Sequence, residues 1–156
     1  MTLEEMEAKV KILEDIEQIK QLQARYVNYL TTCNWDKLID CFDENATTDF
    51  PFPDIGVTRG KAAITKDFKE RISKDMIGKE GNFVVHPIIS IEGDKATGSW
   101  LLYIQYMPGS KIRSTGEEKE TADWYQGFYD MEYVKRNGEW KISLLRWTER
   151  LASPRP

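Results

Sequence analysis

Met131-Glu132-Tyr133-Val134-Lys135-Arg136-Asn137-Gly138-Glu139-Trp140-Lys141-Ile142 sets two runs of β-branched and aromatic residues on either side of Asn137-Gly138. Both turn residues tolerate the positive φ that a two-residue hairpin demands, so this dipeptide is the strongest hairpin signal in the chain. It predicts paired strands over Thr121 to Arg136 and Glu139 to Glu149. Working backwards, turn signals at Glu92-Gly93-Asp94 and Pro108-Gly109 bound two more strands, Asn82 to Ile91 and Lys95 to Met107. Gly109 to Glu120 is charged and lacks apolar periodicity, which predicts a mobile loop, and Ser153 to Pro156 reads as a frayed end.

Before Gly81 the period changes. Leu3, Met6, Val10, Leu13, Ile16, Ile19, Leu22, Tyr26 and Leu30 recur in steps of three and four, the signature of one long amphipathic helix. Its first residues, 1–11, are expected to form an arm or to pack on a partner chain. Asn34 is placed to cap a short helix, Trp35 to Phe42, and a third helix is expected from Lys61 to Met76 between Gly60 and Gly78. Ala46 to Phe52 alternates as a strand, ended by a turn over Pro51 to Gly56. Helices followed by an antiparallel meander give an α+β fold, a curved sheet wrapped around a helical layer with a hollow between them.

With 156 residues the chain is expected to be one domain over 1–156, ending in a flexible tail at 152–156. Its 22 basic and 26 acidic residues are interspersed, leaving a charge of -4 and no basic footprint for nucleic acid or an anionic membrane. No apolar run approaches a membrane span and the first residues are polar, so the cytoplasm is expected. Cys33 and Cys41 make neither a disulfide framework nor, with one histidine, a zinc set. No motif for nucleotide, flavin, haem or metal is present, so no cofactor is expected.

His86, the only histidine, lies within the apolar run Phe83 to Ile91. An unperturbed imidazole titrates near pH 6.5, which makes His86 the first candidate for proton transfer. Strand alternation gives it Val84, Ile88 and Ser90 as neighbours on one face. On the next strand Trp100, Leu102, Ile104 and Tyr106 share a side opposite Leu101, Tyr103 and Gln105, and the pattern does not decide which side faces inward. Asp49, flanked by Phe50, Pro51 and Phe52, is a candidate buried carboxylate. Arg146, among Leu144, Leu145 and Trp147, needs a protein carboxylate or an acidic ligand. The rings on the later strands are too many for one monomeric sheet to hide on both faces. One face is expected to line a cavity and the other to pack on a second copy of the chain.

The long helix leading into Asn34-Trp35-Asp36-Lys37-Leu38, the Asp49-Phe50 strand, His86, the Gly93-Asp94 turn and Gly138-Glu139-Trp140-Lys141 together resemble the SnoaL-like branch of the NTF2-like superfamily. Within it the match looks closest to bile acid 7α-dehydratases and scytalone dehydratase. The resemblance implies a cystatin-like cone and a cofactor-free lyase in which a histidine moves a proton as water leaves an alicyclic substrate. It places His86 at the essential histidine and Tyr26 at a pocket-lining helix aromatic. The helix aspartate that pairs with that histidine falls on Thr31, and a strand tyrosine falls on Phe50.

The expected catalytic set is therefore His86, Tyr26 and Asp49, and the expected substrate contacts are Thr31, Phe50, Trp100, Tyr106, Tyr129 and Trp147. The function that follows is a lyase or isomerase acting on a hydrophobic ring-containing small molecule. The alternatives are a binding module that has lost the catalytic carboxylate, and an assembly subunit whose cavity is filled by its own side chains. The partners expected are that ligand and a second copy of the chain, with no nucleic acid and no membrane.

Overall fold

In the computed structural model, which describes residues 1–52, 54–75, 80–111 and 116–152, the order is α1 (Leu3–Thr31), α2 (Trp35–Ile39), β1 (Phe42–Asp49), β2 (Val57–Arg59) and α3 (Lys61–Lys66). A π-helical stretch, Asp67–Ile72, and a last turn, α4 (Ser73–Asp75), continue α3. Four long strands follow: β3 (Glu80–Glu92), β4 (Lys95–Tyr106), β5 (Asp123–Arg136) and β6 (Glu139–Ala152). They form one six-stranded sheet in the order β2-β1-β6-β5-β4-β3. The Asn137-Gly138 turn closes the β5–β6 hairpin with both residues at positive φ, 50° and 80°, as its chemistry requires.

The helices differ from expectation mainly at their ends. Thr2 and Glu5 cap α1 reciprocally, Glu5 N–H donating to Thr2 Oγ1 at 3.1 Å and Thr2 N–H to Glu5 Oε2 at 2.8 Å. The helix buries one stripe, Ile19, Leu22, Tyr26, Val27 and Leu30, against the sheet, while everything up to Glu14 is exposed. Asn34 makes no side-chain cap, and α2 stops at Ile39 because Phe42 already belongs to β1. That strand runs parallel to β6, Thr48 beside Leu145, while β3 to β6 form the expected antiparallel meander. Met76, the expected end of the third helix, and residues 112–115 of the expected loop lie outside the described residues. The flanks of that loop are tied down, Lys111 pairing with Glu118 and the buried Lys119 forming an ion pair with Asp123 at 2.7 Å.

The departure that matters most for function is in β3. Val85 pairs with Leu101 and Ile88 with Ser99, so β3 carries one more residue than β4 across the same span. This is a β-bulge at His86-Pro87, with His86 at φ 52°. Proline has no N–H for a ladder, and β3 is an edge strand, where a proline is tolerated at a bulge. The extra residue inverts the alternation. Asn82 is buried and Val84 half-buried before the bulge, but Ile89 and Ile91 turn inward after it, leaving His86, Ile88 and Ser90 exposed.

No helix among the described residues is long and apolar enough to cross a membrane. Neither Cys33 nor Cys41 forms a disulfide, and burial pushes the Cys41 thiol up to about 11.

Candidate functional site: an aromatic chamber under the sheet

The concave face of the sheet carries every second residue of β4 and β5. Trp100, Leu102, Ile104, Tyr106, Tyr125, Tyr129, Met131 and Tyr133 are all buried there, which settles the side left open by the sequence. Between this face and the helices lies a chamber. Tyr26 and Leu30 of α1 form its roof, Phe50, Phe52, Phe68 and Ile72 one side, and Leu102, Ile104, Tyr106, Tyr129 and Trp147 its floor. Glu80 and Asn82, from the start of β3, close it with polar groups. The chamber has a volume of about 50 Å³, room for a few waters.

Aromatic packing fixes the walls. Tyr26 meets Tyr129 edge-on at 6.1 Å and Phe42 at 5.8 Å, and Phe50 stacks on Phe52 at 5.1 Å. Phe52, half-buried, also touches Trp147 at 5.2 Å and stands at the chamber's edge. Tyr26 and Tyr129 lie against each other, and burial above all raises both pKa values far above the ordinary phenol. Burial, with the Glu80 charge next, does the same to Tyr106, whose position in β4 is directly opposite Glu80 in β3. The three tyrosines are therefore neutral hydrogen-bonding groups at any physiological pH.

Polar atoms in the chamber are few. The Nδ2 of Asn82 and the Nε1 of Trp147 are buried without a hydrogen-bond partner among the described residues, on side chains only 8% and 6% exposed. A buried donor left unmade costs about 1–3 kcal/mol, so two of them in one cavity call for an explanation. Gly127 makes the Trp147 position possible, since a Cβ there would lie 3.0 Å from Nε1 and 2.4 Å from the Thr148 carbonyl oxygen.

The expected site residues divide into three groups. Tyr26, Phe50, Tyr106, Tyr129 and Trp147 line the chamber. Trp100 and Thr31 are near it but do not. The indole N–H of Trp100 donates to Tyr133 Oη at 3.0 Å, and Tyr133 donates to Gln23 Oε1 at 2.8 Å, which ties Trp100 into a separate network beneath α1. Thr31 is half-buried, its Oγ1 without a partner among the described residues.

The remaining two are corrections. His86, expected to face the hollow, is exposed because the bulge turns its stretch of β3 outward. Asp49, expected to be buried among its aromatic neighbours, alternates with the inward Thr48 and Phe50 and so points to the outer face. There its Oδ2 accepts from Arg146 Nε at 2.8 Å, which identifies the partner that Arg146 required as a protein carboxylate. Glu80 and Asn82 were missed. The available signal was Pro87: a bulge at that proline reverses which residues of the strand look inward.

Comparison with solved structures finds the same architecture. A scytalone dehydratase-like protein from Novosphingobium aromaticivorans is 18% identical, with a TM-score of 0.75 over 93% of this chain and 90% of its own. The hexachlorocyclohexane dehydrochlorinase LinA-type3 of Novosphingobium barchaimii is 14% identical, with a TM-score of 0.75 over 94% and 93%. An NTF2-like protein with a cystatin-like fold, from Novosphingobium aromaticivorans, is 18% identical, with a TM-score of 0.71 over 94% and 88%. At these identities the likeness is one of fold. The helix-roofed, curved sheet is the cystatin-like fold of these neighbours, and the sequence itself matches the SnoaL-like domain over residues 11–146, which places the chain in the SnoaL-like family.

Proposed function

We propose that this protein is a cofactor-free lyase or isomerase that takes a hydrophobic ring-containing small molecule into the chamber and moves its proton with Glu80. The observation that carries the reading is a carboxylate with a buried oxygen, set opposite a neutral phenol in an otherwise aromatic cavity. A carboxylate in such surroundings is a proton carrier, and neutral tyrosine hydroxyls are donors for the charge that develops on a substrate oxygen. The dehydratase and dehydrochlorinase names among the structural neighbours support a lyase-like role. His86 and Asp49 have no part in this site; Tyr26 acts as a hydroxyl donor, and Phe50, Tyr106, Tyr129 and Trp147 contact the ring.

A ring needs more room than a few waters, so binding displaces Phe52, the half-buried ring at the edge. The same small volume favours a second reading, in which the cavity is closed by its own side chains and the fold serves assembly. Thermal unfolding with a panel of one- and two-ring apolar compounds separates them. A compound at about 100 times its Kd stabilises by about 2.7 kcal/mol, a rise in Tm of roughly 5–10 °C for a chain of this size. Ile104→Phe, which fills the chamber, is expected to abolish that rise. A panel that leaves Tm unmoved favours the assembly reading.

The protein pairs with a second copy through the outer face. Its support is an exposed apolar patch, with Phe83 and Trp124 49% and 48% exposed and their rings 6.1 Å apart across the sheet. Sedimentation is expected to show a dimer that Trp124→Asp reduces to monomer; a monomeric wild type contradicts this.

A further inference from the structure

The first half of α1 carries an apolar seam that its own fold does not use. Leu3, Met6, Val10 and Leu13 follow one another in steps of three, four and three, and each is between 41% and 66% exposed. At about 100° per residue, this seam lies on the opposite side of the helix from the stripe that α1 buries between Ile19 and Leu30, so it does not continue the core. Asp15, held by Lys135 and Trp140, is the first residue of the helix that the sheet covers. Leu3, Met6 and Val10 also precede the SnoaL-like match, which starts at residue 11, so the shared domain does not account for them. Large apolar side chains aligned on an exposed helix mark a contact with another molecule.

Charge identifies that molecule. Leu3 and Val10 share one position of a seven-residue repeat and Met6 and Leu13 another, the pattern of a two-helix seam. Glu7 and Glu14 flank the seam on one edge, and Lys9 flanks it on the other. Lys9 and Glu14 lie about 140° apart around their own helix and cannot meet there. When two such helices lie side by side in the same direction, Lys9 of each faces Glu14 of the other. In opposite directions Glu7 would face Glu14 and Lys9 would face Lys9, and both contacts repel. We propose that residues 3–14 are a self-association site, at which two copies of the chain pair their α1 seams in parallel. The capping box and the continuity with the buried half of α1 have already formed the helix, so pairing escapes the nucleation cost that makes short isolated helices unstable. Only two repeats long, this contact is weaker than the outer-face pairing and separate from it, and it links the outer-face pairs at higher concentration.

Sedimentation of the full chain from about 10 μM to about 1 mM tests this. The average mass of the wild type is expected to rise about twofold over that range, and that of Val10→Asp to stay level. Lys9→Glu and Glu14→Lys are each expected to lose the rise, and the double variant Lys9→Glu/Glu14→Lys to recover it, because the exchange restores the pairs of parallel helices alone. All three positions are exposed, so circular dichroism and Tm should match the wild type in every variant. Trp124→Asp is expected to lower the starting mass and keep the rise, so failure of the outer-face pairing is read separately from failure of this one. A wild-type mass that does not change with concentration overturns the proposal, as does a rise that Val10→Asp leaves intact. Tighter association of Glu14→Lys than of the wild type, the result that antiparallel helices would give, overturns it as well. A Tm several degrees lower in Val10→Asp, with no wild-type association, assigns the seam to packing within its own chain instead.

Discussion

Glu80→Gln is expected to lower turnover by about 100- to 10,000-fold, the usual contribution of a positioned general acid or base, while His86→Ala stays within about twofold of wild type. The contrast is the point, because His86 is the residue that chemistry on paper would choose. Glu80 has one carboxylate oxygen buried at the chamber and stands opposite Tyr106, whose hydroxyl burial keeps protonated. Glutamine keeps the shape and the hydrogen-bonding capacity but cannot carry the proton. His86 lies on an exposed bulge of an edge strand, and it is absent from the chamber's lining. The readout is exchange of the proton beside a cyclic carbonyl in heavy water, or loss of a neighbouring leaving group, followed by NMR. Loss of activity in His86→Ala with Glu80→Gln unaffected contradicts the assignment. Binding that is retained by both variants and the wild type, with no turnover in any, returns the protein to the class of non-catalytic binding modules.

The largest effect on stability is expected from Asp15→Ala, at about 3–5 kcal/mol, the cost of breaking a buried ion pair by removing one partner. Asp15 is 4% exposed on α1 and accepts hydrogen bonds from Lys135 Nζ and, at 2.9 Å, from Trp140 Nε1. These contacts pin the helix to β5 and β6, and Lys135 also lies 5.2 Å over the Trp140 ring. Removing the carboxylate leaves an ammonium and an indole N–H without a partner. At about 2–4 °C per kcal/mol, Tm should fall by roughly 6–20 °C. Burial alone would raise the Asp15 pKa, but the hydrogen bonds from Lys135 and Trp140 and the Lys135 charge hold it below the ordinary carboxylate value. A carboxyl whose folded-state pKa is depressed stabilises above its unfolded pKa, about 3.9, and that stability is lost as pH falls through the lower, folded value. Denaturant melts should thus separate wild type from variant at pH 7 and draw them together in acid below about pH 4. A gap as wide at pH 3 as at pH 7 contradicts the electrostatic account.

Much of the architecture was legible because it rests on period and turn chemistry. The three- and four-residue spacing from Leu3 to Leu30 marks α1, and Asn137-Gly138 leaves β5 and β6 little choice but to pair. Four chamber residues, Phe50, Tyr106, Tyr129 and Trp147, were also readable as aromatic positions of strands; β4 alternates strictly up to Tyr106 and β5 up to Tyr129, whereas β1 and β6 each shift register before Phe50 and Trp147. What period alone could not carry was a phase change. A single inserted residue at His86-Pro87 moves the histidine from the expected inner face to the outer one and leaves Asn82 as the inward polar residue. Asp49 failed for a simpler reason: aromatic neighbours in sequence lie on the opposite face of a strand, and its nearest charged neighbour in space is Arg146, nearly a hundred residues away. Thr31 remains without a structural account beyond its half-buried position at the end of α1.

Where a ring compound binds decides between the readings of this protein. A crystal of the protein soaked with tetralone answers this directly: the ring is expected between Tyr26 and Tyr129 on one side and Leu102 and Ile104 on the other, with Phe52 displaced and the Glu80 carboxylate facing it. A ring bound on the outer face beside His86, with the chamber still closed, would contradict it.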